Sequence, residues 1–186
     1  MGFYRFKGGE CMKIVVLGWS GSGKSTLARR LSEFYQLPLL HLDSIWFLPN
    51  WVEREKEEFH GLIQDFMRQH ENWIIEGNYT KHVPERFLEA DMILFLNYNR
   101  FTCLRSVIHR YKNYKNKTRP DMAIGCEEKL DLDFLWHVFY KGRKRKKRKY
   151  LTKLTTSAKT GIIFKNRKAL ELYLKKLGVE EYGAGL

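Results

Sequence analysis

No apolar run in this sequence approaches the ~18 residues that a membrane-spanning helix needs, so none is expected. Residues 1–11 carry Arg5, Lys7, Gly8, Gly9 and Glu10 and lack the apolar centre of a signal peptide. They read as an extension before Met12, outside the fold. Cysteine is scarce: Cys11, Cys103 and Cys126 are scattered, with no Cys-x-x-Cys pair. That spacing argues against a disulfide framework and a zinc site, and it suits the reducing cytoplasm. The guanine-reading Asn-Lys-x-Asp string is also absent. Asn116-Lys117-Thr118-Arg119 comes nearest and lacks the acid, which disfavours a GTP switch. There is no internal repeat. None of the ten tyrosines stands out as a nucleophile for DNA cleavage.

Acid is short relative to base, with 21 Asp and Glu against 34 Lys and Arg, a net charge of +13. The excess is local. Lys141-Gly142-Arg143-Lys144-Arg145-Lys146-Lys147-Arg148-Lys149 holds eight cations. A run of this kind can bind nucleic acid through phosphate, or it can be a solvated face. At 186 residues and 44% hydrophobic, the chain suffices for one domain with a core.

Gly18-Trp19-Ser20-Gly21-Ser22-Gly23-Lys24-Ser25 completes the template G-x-x-x-x-G-K-[ST]. Chance matches in a chain this long are on the order of 1%. Lys13-Ile14-Val15-Val16-Leu17 before it reads as a buried strand. Leu27, Leu31 and Phe34 after it share a helical face. The glycines let backbone approach phosphate, and the loop amides with the helix N-terminus supply oriented N–H groups to an anion. Lys24 is placed for the β- and γ-phosphates of a triphosphate, and the Ser25 hydroxyl for Mg²⁺. Ser20, Gly21, Ser22, Gly23 and Thr26 complete the nucleotide-binding set.

Further strands are expected at 37–43, 73–78, 91–97 and 161–164, with helices at 53–70, 100–111 and 167–177. This alternation predicts an α/β fold, a parallel sheet with helices on both faces. Ligands gather at the C-terminal strand ends of such sheets, where the glycine loop, Asp43 and Glu76 would meet. Residues 112–159 break the alternation and read as an insertion between strands four and five. Within it, Leu130 to Tyr140 is apolar and aromatic and predicts a helix. The domain is expected over 12–177, with a tail at 178–186.

From about Met12 to Leu177 the chain resembles the adenylate-kinase-like branch of P-loop kinases. Within that branch it is similar to the bacterial group called DNA topology modulation proteins. The residues that carry the resemblance are Gly18–Ser25, His41-Leu42-Asp43, Trp73-Ile74-Ile75-Glu76-Gly77-Asn78-Tyr79, Arg119-Pro120-Asp121-Met122 and Gly125-Cys126-Glu127-Glu128-Lys129. The resemblance implies a three-layer P-loop NTPase fold with a five-stranded parallel sheet in the order 2-3-1-4-5. It also implies ATP with Mg²⁺ at the loop and a mobile lid between strands four and five. Asp43 matches the acceptor side, and Glu76-Gly77 matches the acid that ends strand three. Two departures stand out. Glu76 replaces the commoner Asp, and Asn78-Tyr79-Thr80 stands where adenylate kinases carry an arginine. The phosphoryl acceptor therefore stays open, a nucleotide or another small molecule.

Candidate roles follow. Lys24, Asp43, Arg105 and Arg110 are the catalytic set, and Ser25, Asp43 and Glu76 the metal set. Asp43, Trp46, Gly77, Asn78 and Tyr79 form the acceptor set, with Phe47 and Trp51 as further pocket aromatics. Arg119, Arg143, Arg145 and Arg148 are lid cations. Arg105 and His109 share a helical face by their spacing of four. His41 reads as structural, His137 as packed and Cys126 as a turn or core residue. The leading function is a kinase that transfers the ATP γ-phosphate. The alternative is an ATP-binding protein that engages nucleic acid through 141–149.

Overall fold

The computed structural model describes residues 12–179, so the expected extension at 1–11 and all but the first two residues of the tail lie outside the described residues. Strand β1 (Lys13–Gly18) has five consecutive buried residues, Ile14 to Gly18. Such a run has no polar face, so helices must cover both sides. The chain continues into α1 (Lys24–Tyr35), β2 (Leu39–His41), a short α2 (Leu42–Trp46) and a small hairpin of β3 (Phe47–Leu48) and β4 (Val52–Glu53). Then come α3 (Lys56–Gln69), β5 (Trp73–Glu76), α4 (Glu85–Glu89), β6 (Met92–Leu96), α5 (Arg100–Tyr114), α6 (Leu132–Phe139), α7 (Arg145–Thr156), β7 (Thr160–Phe164) and α8 (Arg167–Leu177).

The sheet has five parallel strands in the order β2-β5-β1-β6-β7. Counting only those five, this is the expected 2-3-1-4-5. Strands β5 and β6 are buried at every residue, as β1 is along nearly all its length. The core is Ile14, Val16, Leu27, Leu31, Ile63, Ile74, Ile93, Leu94 and Phe95 with their neighbours. Each such side chain taken from water contributes about 1.5–3 kcal/mol.

Several elements differ from the sequence reading. Strand β2 ends at His41, and Asp43 lies in the first turn of α2. In α5, where the spacing predicts Leu104, Val107 and Ile108 inward, Cys103 and Val107 are buried and Ile108 is exposed. The loop Gly18–Ser25 packs on the Cys103–Val107 face of α5, which fixes the helix rotation. Of the expected insertion, its last part is α7, which buries Leu151 and Thr155 and packs against β6 and β7. The helix α6 forms, yet Leu132, Trp136 and Tyr140 along it are exposed, as is His137. Cys126 is buried, with its Sγ 3.3 Å from the Leu48 carbonyl.

Segment 115–128 crosses over the glycine loop. Isolated bridges join Lys115 to Glu128 and Thr118 to Glu127. At its far end the Asn50 N–H donates to the Gly125 carbonyl at 3.2 Å, and Trp51 Nε1 donates to the Glu127 carbonyl at 3.1 Å. The segment thereby ties the β6 side of the sheet to the hairpin that follows β2.

Gly161, the second residue of β7, lies directly under the end of α7. A Cβ there would sit 1.7 Å from the Thr155 carbonyl oxygen. Gly161→Ala is expected to cost about 1–3 kcal/mol, seen as a lower urea midpoint with an unchanged slope. An unchanged midpoint would show that α7 and β7 are not packed this tightly.

Candidate active site

The glycine loop joins β1 to α1. The Ser22 N–H closes a turn onto the Trp19 carbonyl at 3.0 Å. Gly21 has φ +76°, and a Cβ there would lie 2.4 Å from the Cys103 carbonyl oxygen, so the position admits only glycine. Above the loop opens a cleft of about 940 Å³. Of the expected residues, Ser20, Gly21, Gly23, Lys24, Ser25, Thr26, Asp43, Arg105, Arg110 and Arg119 line it, and His109 does so too. Asp121, Arg29 and Arg167 join them. Gly18 and Ser22 are buried beneath the loop.

Glu76 is 2% exposed. Its carboxylate faces Lys24 Nζ at 3.6 Å, accepts from Ser25 Oγ at 3.2 Å and meets His41 Nδ1 at 3.0 Å. Burial opposes its charge, but Lys24 and then His41 outweigh that and hold its carboxyl below the usual range. Parallel pairing of β2 with β5 sets His41 opposite Glu76, so His41 belongs to the site. Asp121, from the crossing segment, also comes within hydrogen-bonding reach of Ser25. The Ser25 hydroxyl therefore lies among two carboxylates. Burial opposes the Asp121 charge as well, and Arg119, whose NH1 donates at 2.9 Å, leads the groups that lower it. His41 and Asp121 both stand in segments that carry the resemblance, but His41 reads there as structural and Asp121 has no assigned role. Only strand register and the fold of the insertion bring them in.

Asp43 behaves differently. Burial first, and then the Glu76 charge, raise its carboxyl above the usual range. Tyr79 Oη donates to Asp43 Oδ1 at 2.7 Å, and burial first, then Asp43, raise the Tyr79 hydroxyl. Trp46 is buried beside Phe59 and Tyr79 and does not line the cleft. Gly77 (φ +142°) leaves room for α2, since a Cβ would meet Leu42 Cβ at 2.8 Å. The Asn78 amide is spent on Gly18: Nδ2 donates to the Gly18 carbonyl at 2.7 Å, and Oδ1 accepts the Gly18 N–H at 3.2 Å. Asn78 thus braces the root of the loop. Behind it the buried Arg86 donates to the carbonyls of Gly77 and Asn78, at 3.1 and 3.3 Å. Burial pushes its guanidinium down to about 9.

The cations divide. Arg105 is exposed and faces the cleft. Arg110 and Arg119 both pair with the buried Glu128, at 2.6 and 2.7 Å. Arg143 lies off the cleft. Its NH1 donates to the Tyr98 carbonyl at 2.8 Å, its Nε to the Val138 carbonyl at 2.9 Å, and its guanidinium stands 5.1 Å from the Trp19 ring centre. Arg145 and Arg148 are exposed on α7 and do not line the cleft. Helix α7 is held against β6 and β7, which keeps them away.

The two kinds of carboxyl have opposite pH signatures. Those held low, Glu76 and Asp121, contribute stability above the unfolded carboxylate range of about pH 4, and it is lost as pH falls. Asp43, held high, contributes below that range, and its contribution is lost as pH rises through its raised pKa. At neutral pH an ionised Asp43 is therefore a cost. Asp43→Asn is expected to raise the melting temperature at pH 7 by roughly 2–4 °C, on the order of 1 kcal/mol, with the gain vanishing below about pH 4. Melting curves across pH test this, and a lower neutral melting temperature would contradict it.

No protein-family model matches the chain. A stretch of 63 residues is 43% identical to a shikimate kinase of Flavobacterium johnsoniae, covering 33% of this chain and 37% of that protein. The chain thus matches little more than a third of that relative's length. The solved structure of shikimate kinase from Acinetobacter baumannii in complex with shikimate is similar, with TM-score 0.51 and 19% identity over 89% of this chain and 90% of that one. So is an uncharacterized protein from Eubacterium ventriosum, with TM-score 0.51 and 14% identity over 92% and 100%. At these identities the likeness is one of architecture, and the chain has the fold of shikimate-kinase-like P-loop kinases.

Proposed function

We propose that the protein is a small-molecule kinase that transfers the γ-phosphate of ATP to a hydroxyl-bearing acceptor. The observation that carries the reading is Asp43. A carboxyl held high by burial and by Glu76 opens on the same cleft as Lys24 and Ser25. Phosphoryl transfer uses a carboxylate that can take the acceptor's proton, a triphosphate cradle and cations around the moving group.

The residues fit the groups the reading requires. The loop has glycine where a side chain would fill the cradle, and the Ser25 hydroxyl beside Glu76 and Asp121 suits a hard cation. Ser25 would hold Mg²⁺ with the triphosphate, and Glu76 would take its water shell. Bound there, Mg²⁺ offsets charge on the phosphate oxygens. Lys24 binds the phosphates, oriented by Glu76. Tyr79 fixes the Asp43 carboxyl so that it can accept the acceptor's hydroxyl proton. Arg105 faces the transferring group from α5. Arg110 and Arg119, held by Glu128, keep the crossing segment over the cleft, which excludes water.

ATP turnover is expected to be slow alone and to rise with the right acceptor, in a panel of hydroxyl metabolites, nucleosides and nucleotides. Shikimate belongs in it because the relatives above include shikimate kinases. Lys24→Ala should lower turnover at least ~100-fold. Turnover at full rate without any acceptor would sink the kinase reading.

One observation favours a second reading, nucleic-acid binding. Trp136 on α6 and Tyr140 just past its end stack at 5.3 Å and are both exposed, and the exposed cations Lys144, Arg145, Lys146, Lys147, Arg148 and Lys149 follow in the chain. Stacking rings beside cations suit single-stranded nucleic acid, and the DNA topology modulation resemblance points the same way. Single-stranded oligonucleotide should then quench tryptophan fluorescence, weaken steeply with salt and lose about 1–3 kcal/mol of binding in Trp136→Ala. No binding at about 50 mM salt would rule it out.

A further inference from the structure

Eight cations crowd residues 141–149, and none of them lines the cleft. Two of the eight face the glycine loop. Arg143 is tied to the Tyr98 and Val138 carbonyls and lies over the Trp19 ring. That anchor fixes the start of α7 against the loop. Lys147, four residues on, comes down beside it. There it lines a small pocket of about 20 Å³ with Trp19, Ser20, Asn78 and His137. The volume admits roughly one water molecule.

The surroundings of Lys147 are unusual for a lysine. The residues lining its pocket include no carboxylate, and Lys147 forms no ion pair to one among the described residues. Ser20 lines both this pocket and the main cleft, where Lys24 stands. Two ammonium groups thus approach the two sides of one loop residue. Lys147 is exposed as a whole residue, but partial burial against the loop, and then the Lys24 charge, push its ammonium down. Lys24 has Glu76 at 3.6 Å, whereas Lys147 has no acid of its own, and an ammonium placed beside a like charge is stabilised when an anion comes to it. The geometry of the loop supplies one place for that anion. Ser20 stands mid-loop, and the loop amides with Lys24 hold the β- and γ-phosphates.

We propose that Lys147 is a second ammonium contact to the terminal phosphate of the triphosphate bound by Gly18–Ser25, reaching it past Ser20. This rests on the reading of the cleft as a triphosphate site. It also sorts the basic run. Arg143 positions the loop through Trp19, Lys147 binds phosphate, and the remaining exposed cations face solvent.

A terminal-phosphate contact separates ATP from ADP, which a general charge effect does not. Equilibrium binding of Mg²⁺–ATP and Mg²⁺–ADP is measured for wild type, Lys147→Ala, Lys147→Arg and Lys146→Ala. Lys146 is the neighbour on the same helix that lines neither pocket, and it controls for loss of one charge. Lys147→Ala should weaken ATP about tenfold and ADP less than about twofold. Lys147→Arg should recover part of the ATP loss, and Lys146→Ala should leave both nucleotides as they were. Equal losses for ATP and ADP, no loss, or the same loss in Lys146→Ala would overturn the assignment. Wild-type protein that binds neither nucleotide would overturn the triphosphate reading itself, and this assignment with it. Normal wild-type binding with an indifferent Lys147→Ala would overturn this assignment alone.

Discussion

A carboxylate buried almost completely has to be paid for with partners, and Glu76 has three. Lys24, Ser25 and His41 all converge on it. Two of these are the residues of the glycine loop that carry its chemistry. The third is the last residue of the neighbouring strand. Loop, central strands and edge strand are therefore joined through one side chain. Its length matters. Glutamate extends one methylene further than the aspartate commoner at this position, and it spans both the Lys24 ammonium and the Ser25 hydroxyl. Asp43 is raised in part because Glu76 is ionised. The difference between the two acids is a consequence of their proximity, as in other sites where paired carboxyls take opposite roles.

The loop is held from outside as well as within. Asn78 clasps the backbone of Gly18 in both directions, and Arg86 secures the carbonyls on either side of that clasp. On the other flank, Trp19 donates to Asn97 at 2.9 Å and lies under Arg143. Glycine-rich backbone is entropically costly to order. These braces supply the order without filling the space where phosphate would lie. Arg86 needs no carboxylate to do this, since carbonyl oxygens at the end of β5 accept from it. Its other buried nitrogens, Nε and NH1, have no partner among the described residues, which is part of the cost of placing it there.

Much of this was legible in the sequence where it followed from local pattern. The glycine loop, the five sheet strands, their order through the resemblance, and α8 from Arg167 to Leu177 all carry short-range signals. Asp43 and Glu76 do come near each other, but it is His41 that ends the neighbouring strand, and Asp43 lies beyond it in α2. What was illegible depended on register and tertiary packing. His41 joins the site because it pairs with Glu76 across two strands, and Asp121 because the insertion folds back over Ser25. Asn78 sits at the expected place but faces Gly18, since the loop's backbone groups compete successfully for its amide. The lid cations show the same limit. Charge pattern identified a basic run, but only the packing of α7 on β6 and β7 decides which way each cation points.

That packing bears on why the crossing segment can sit over the cleft with arginines already engaged. Arg110 and Arg119 share the buried Glu128, and Arg119 also holds Asp121. With Asp121 counted, two guanidinium groups meet two carboxylates, so the cluster is balanced in charge before any anion enters the cleft. The ion pairs spare the arginines from mutual repulsion, and the backbone bonds of Gly125 and Glu127 to the hairpin hold the far end. Closure is thus built from contacts within the protein rather than from contacts to a ligand. A site preorganised in this way spends less binding energy on ordering its roof. More of what the phosphates contribute remains for holding the group that moves.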